Sequence, residues 1–160
     1  MISNDVSIKK KTGGDFKAVE GGMYQVQITD IQEREGTKYQ STEKQMQYMF
    51  KTVIVDGEEK GSGIVIFTSQ SWFDGGKNAK PSMLFNLFKT IYKFYHKDVD
   101  VKTIEEVTGT MINALVGKQL LVVVELTDAG KNKVTSFMPI KKEIAHKETN
   151  EDVDVDKIPL

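Results

Sequence analysis

The chain contains no cysteine, which removes disulfides, thiolate zinc sites and cysteine nucleophiles and suits a reducing compartment. No apolar run approaches the roughly 20 residues that span a bilayer, and the opening MISNDVSIKKKTGG lacks the apolar stretch of a signal peptide. A cytoplasmic protein without a membrane partner is therefore expected. Histidine is scarce. His96 and His146 are fifty residues apart with no ligand spacing around either, so no metal site is expected. Gly75-Gly76-Lys77 lacks the glycine spacing and the following Ser/Thr of a phosphate loop. Asp98, Asp100 and Glu105 miss a calcium loop because Thr103 stands where glycine is needed. With no GxSxG context either, the expectation is a non-enzyme without cofactors.

What is present suffices for one domain: 160 residues, 39% of them hydrophobic. The formal net charge of −1 hides an asymmetry. Residues 1–147 hold 21 Lys+Arg against 18 Asp+Glu, a balance of +3, whereas residues 148–160 hold five acids and Lys157, a balance of −4. A mildly basic body with an acidic tail lets the tail compete with a polyanion for the body's surface.

Hydrophobic periodicity divides the chain into a basic N-terminal arm (1–20), a folded domain (21–142) and an acidic tail (143–160) expected to be disordered. From Met23, Tyr24, Val26, Ile28 and Ile31 alternate with polar residues as in a half-buried strand. Glu33 to Lys44 is polar and reads as a long connection. QMQYMFKTVIV then gives a long second strand, and the Asp56-Gly57 turn leads into IVIFTS as a hairpin. A helix is predicted from Pro81 to Tyr95, with Leu84, Leu87, Phe88, Ile91, Tyr92 and Tyr95 as its apolar face. Its lysines, Lys89, Lys93 and Lys97, fall on one stripe that reads as a solvated face. A weaker helical segment follows, then strands KQLLVVVELTD and KNKVTSFMPI around the Asp128–Gly130 turn.

The order β-β-β-α-β-β is that of the OB-fold, a mainly β, five-stranded, partly open barrel that binds oligonucleotides across strands two and three and through the first and last hairpin loops. A single strand offers charged phosphates and flat bases, so its binders combine Lys/Arg with exposed aromatics. The first connection supplies Arg34, Lys38, Tyr39 and Lys44; strand two supplies Tyr48, Phe50 and Lys51. Strand three and its exit supply Phe67, Trp72, Phe73, Lys77 and Lys80, and the last hairpin supplies Lys131 and Lys133. Tyr48, Phe50 and Phe67 fit a barrel core as well as a stacking platform. Tyr39 and Trp72, in polar loop contexts, are the favoured stacking residues.

The segment NEDVDVDKIPL resembles the C-terminal tip of bacterial single-stranded DNA-binding proteins, in which acids and an apolar end dock replication, recombination and repair enzymes. The matching positions are Asp152, Asp154 and Asp156 for the acids and Ile158, Pro159 and Leu160 for the tip. That family typically ends in Phe where this chain has Leu160, and Lys157 interrupts the acids. The patterns GGMYQVQITDI, QYMFKTVIVDG and LVGKQLLVVVEL are also similar to small OB-fold single-strand binders encoded in phage replication and recombination modules. The resemblance implies sequence-independent binding and protection of single-stranded DNA, recruitment of partner proteins through the tip, and, for a phage-encoded chain, the host cytoplasm. A non-catalytic protein-interaction module on the same barrel is the alternative, and the apolar helix leaves a homo-oligomer open.

Overall fold

A computed structural model of the chain describes residues 18–37 and 43–146. Five strands form one antiparallel sheet: β1 (Gly22–Thr37), β2 (Lys44–Ile54), β3 (Gly63–Ser69), β4 (Gln119–Leu126) and β5 (Asn132–Met138). They lie in the order β3-β2-β1-β4-β5, so β1 sits at the centre and pairs with both β2 and β4. Among the described residues, β3 and β5 approach each other without a hydrogen-bonded ladder. The sheet is not closed.

β1 is longer than periodicity suggested, whereas β2 has its expected eleven residues and starts one residue earlier, at Lys44. The polar run after Ile31 is strand: Gln32 pairs with Met49, Glu33 with Tyr48 and Arg34 with Gln47. Polar residues tolerate this because backbone bonds, not side-chain burial, extend the ladder beyond the core. A register shift between Ile28 and Asp30 bends β1 at the point where it leaves the core.

Alternation decides what is inside. Phe50, Thr52 and Ile54 of β2 and Ile64, Ile66 and Thr68 of β3 are buried, while Lys51, Val65 and Phe67 between them are exposed. The β2–β3 turn includes Gly57 (φ 85°) and Gly61 (φ 96°), left-handed positions that suit glycine.

Helix α1 (Met83–Tyr95) begins at Ser82, whose hydroxyl accepts from the Phe85 N–H at 3.2 Å. Pro81 thus precedes the helix instead of occupying its first turn. Leu84, Phe85, Leu87, Phe88 and Ile91 are buried and join the inner faces of β1 to β4 in one core. Of the weaker helical segment, Thr103 to Gly117, only a short α2 (Gly109–Asn113) is α-helical, and a 3-10 turn (Val101–Thr103) precedes it.

Ordered contacts extend past both expected domain boundaries. Val19 is 3% exposed, and its N–H and carbonyl are both bonded to the Asn132 side chain. At the other end, Gln119 is buried with its amide fully used: it donates to Gln27 and the Ile144 carbonyl, and accepts from Gln25 and the Ile144 N–H. Tyr95 donates to Glu143 at 2.5 Å and accepts from the Gln119 N–H at 3.0 Å.

Two outcomes test this packing. Phe50→Ala should cost about 3–5 kcal/mol in chemical denaturation, and Phe67→Ala less than about 1 kcal/mol. Burial, reinforced by Glu143, raises the Tyr95 phenol above its ordinary value. The unfolded chain then loses that proton first, so stability should fall as pH rises past about 10. A pH series of denaturation midpoints reads it.

Candidate nucleic-acid interface

The outward face of β1, β2 and β3 is built by register. Arg34 lies opposite Gln47, and Gln47 opposite Ser69; Gln32 lies opposite Met49, and Met49 opposite Phe67; Lys51 lies opposite Val65. Directly paired residues share a face, so Arg34, Met49, Lys51, Val65 and Phe67 all point away from the core. Phe67 is 45% exposed, and the Arg34 guanidinium stands 5.2 Å from its ring centroid. That contact holds a charged group over a flat apolar ring.

Across from this face rises the β4–β5 turn. Thr127 shapes it by accepting from the Lys131 N–H through its hydroxyl and pairing backbone to backbone with the same residue. Gly130 supplies the left-handed position at φ 79°. Between the turn and β2–β3 runs a groove of about 420 Å³, whose lining includes Lys51, Val65, Phe67, Lys131 and Asn132. Asn132, bonded to Val19, also fixes Ala18 at the groove's rim. Two lysines line the groove and no carboxylate does among the described residues. The nearest acid by register is Asp30, opposite Lys51, whose carboxylate accepts from the Ile31 N–H and the Gln32 amide.

The groove therefore gathers Lys51, Phe67 and Lys131 from the expected set, with Arg34 alongside. The remaining expected residues fall elsewhere. Phe50 is fully buried and is a core residue, a correction to its inclusion as a stacking candidate. Tyr48 shares its inward face, half-buried and edge-on to Phe50 at 6.2 Å.

Trp72 requires a second correction. Its ring packs 5.1 Å from Phe85 and 5.3 Å from Phe88, and its indole N–H donates to the Ile104 carbonyl at 2.8 Å. A half-buried indole with its N–H used serves the packing of α1, not a base. Phe73 is exposed but tied to the helix start through Ser82. Lys77 lies within the turn closed by the small Gly76–Ala79 bridge and Lys80 directly follows it, both outside the groove. Lys44 pairs loosely with Glu35 at 3.9 Å, and Lys133 faces Glu125 across β4–β5. Lys38, Tyr39 and the acidic tip, Asp152, Asp154, Asp156, Ile158, Pro159 and Leu160, lie outside the described residues.

Val65, Asn132 and Thr29 were missed as groove residues. Val65 was readable from the hairpin, because the register that turns Phe67 outward turns Val65 with it. No sequence signal marked Thr29 or Asn132.

A protein-family match covers residues 5–153, nearly the whole chain. The chain belongs to the family of proteins of unknown function designated DUF669. No curated protein matches it. Among the described residues of this DUF669 protein there is no cluster of three or more His, Asp or Glu able to hold a metal ion, and no helix is long and apolar enough to cross a membrane.

These positions separate two fluorophores. Oligo-dT should leave the emission of Trp72 nearly unchanged, whereas in a Trp72→Phe, Phe67→Trp protein it should quench the new indole. A strong response from native Trp72 would contradict the assignment of its ring to α1.

Proposed function

We propose that this protein binds single-stranded DNA without sequence preference, using the outward face of β2–β3 and the β4–β5 turn of an OB-type, partly open barrel. The reading rests chiefly on one observation: Phe67, with Arg34 beside its ring, stands in a groove that carries Lys51 and Lys131 and no described carboxylate. A flat exposed ring accepts any base, and ammonium groups on either side accept the phosphates that flank it. Neither contact reads sequence. The barrel assignment draws support from the strand order and from the approach of β3 to β5, which brings both edges to the same groove.

Protection of strands during replication, recombination or repair follows from such binding, because a stacked, neutralised strand can neither pair nor be reached easily by nucleases. No reacting group is required, so the protein acts as a binder and not as an enzyme.

Fluorescence anisotropy with labelled oligo-dT tests the proposal. Phe67→Ala should weaken binding about 5- to 150-fold, the equivalent of the ~1–3 kcal/mol carried by one stacked base. Lys51→Ala and Lys131→Ala should each reduce the slope of log affinity against log salt by about 0.7, as expected for one lost phosphate contact on a single strand. Absent binding, or binding indifferent to salt and to Phe67, would defeat it.

A further inference from the structure

A second groove lies on the opposite, helical side of the molecule. About 250 Å³ in volume, it is rimmed by Lys89, Lys93, Lys97 and Lys102, with Tyr92 and Val99 between them. Buried Phe85 and Val101 form its floor, and Val99 is 43% exposed. The lysine stripe of α1, which periodicity alone reads as a solvated face, therefore borders an apolar trough. Among the described residues, none of the four lysines is within 4 Å of a carboxylate. The one acid in the lining, Asp100, accepts from the Lys102 N–H at the start of the 3-10 turn and offsets one of the four positive charges, leaving the rim at +3. Four close cations around an apolar floor repel one another, and an acidic partner with apolar side chains relieves both the charge and the exposure.

The chain carries such a segment. Residues 148–160 hold a balance of −4, with Asp152, Asp154 and Asp156 interleaved with Val153 and Val155, followed by Ile158. The attachment point is close. Glu143 accepts from Tyr95 at the C-terminal end of α1, Ile144 is bonded to Gln119 at the start of β4, whose own N–H donates to Tyr95, and Lys97 lies two residues beyond Tyr95. From His146, fourteen residues remain to Leu160, and at up to ~3.3–3.6 Å each they reach about 46–50 Å. A helix of α1's length is about 20 Å long. Reach is therefore not limiting, and the tether keeps the acids at high effective concentration over the groove.

We infer that the groove between α1 and the 3-10 turn docks the protein's own acidic segment, residues 148–160, with the carboxylates on the lysine rim and the apolar side chains on the floor. This docking is independent of the single-strand groove, which lies on the other side of the sheet. It differs from direct competition for that groove, the arrangement that the charge asymmetry alone suggests. A segment held on α1 leaves Phe67 and Lys131 free, and release from the lysines makes the segment available to other basic surfaces.

The absence of cysteine makes the test clean. A nitroxide on Asn150→Cys in the full-length chain should broaden backbone amides from Lys89 to Lys102. The broadening should disappear in Lys93→Glu/Lys97→Glu protein and at high salt, where such pairs are screened. The same spectra report whether the variant is folded. Asp152→Asn/Asp154→Asn/Asp156→Asn, which leaves the body unaltered, should abolish it as well. The inference is overturned by no localised broadening, by broadening centred on Phe67 and Lys131, or by broadening that appears only between labelled and unlabelled chains mixed together, which would mean docking on a second copy.

Discussion

Burial of one face of the β2–β3 hairpin against α1 is the constraint on which the rest depends. Phe50, Ile54, Ile64 and Ile66 share one core with Leu84, Phe85, Leu87 and Phe88. With those side chains committed inward, the period of two leaves Lys51, Val65 and Phe67 no choice but the opposite face. A one-residue slip in the hairpin would bury Lys51 and expose Phe50. The cost of both keeps the register fixed, and with it the relation of Phe67 to Arg34 and to the β4–β5 turn. The chemistry of the groove is thus a by-product of core packing: Phe50, Ile54 and Ile66 stabilise the fold without lining the groove, but they aim the side chains that do.

The same helix organises the other side of the molecule. Its apolar face caps the open sheet, Trp72 and Tyr92 extend that packing at the margins, and its lysines are left around a trough instead of on a smooth surface. Two basic grooves result, separated by the core. One presents an aromatic ring to a flat ligand. The other sets four lysines around a trough of Val99, Val101, buried Phe85 and half-buried Tyr92, a match to an acidic peptide with apolar side chains.

Much of the element order was legible from the residues. Alternation in QMQYMFKTVIV and IVIFTS, the Asp56-Gly57 turn, and the helical spacing of Leu84, Leu87, Phe88 and Ile91 have clear periods, and all appear as strand, turn and helix. Which face of β2 is buried was not legible, because Met46, Tyr48 and Phe50 on one side compete with Met49 and Val53 on the other. Only pairing with β1 and β3 decides. The extension of β1 to Thr37 was invisible for a related reason: its polar residues are held by backbone bonds, which leave no hydrophobic trace. Trp72 misled because polar neighbours mark a loop as exposed, whereas this loop folds back onto α1 and lends its ring to the core. Lys51 and Lys131 were named individually, but their convergence on one groove required the approach of β3 to β5, a long-range fact with no local signature.

The central claim is that an unpaired strand lies along the face that core packing turns outward. Chemical-shift mapping of isotope-labelled protein with a short oligo-dT tests it most directly. The account predicts that the largest changes fall on Arg34, Lys51, Val65, Phe67 and Lys131, with Phe50 and Trp72 little affected. Changes concentrated on Lys89 to Lys102, or no changes at all, would contradict it.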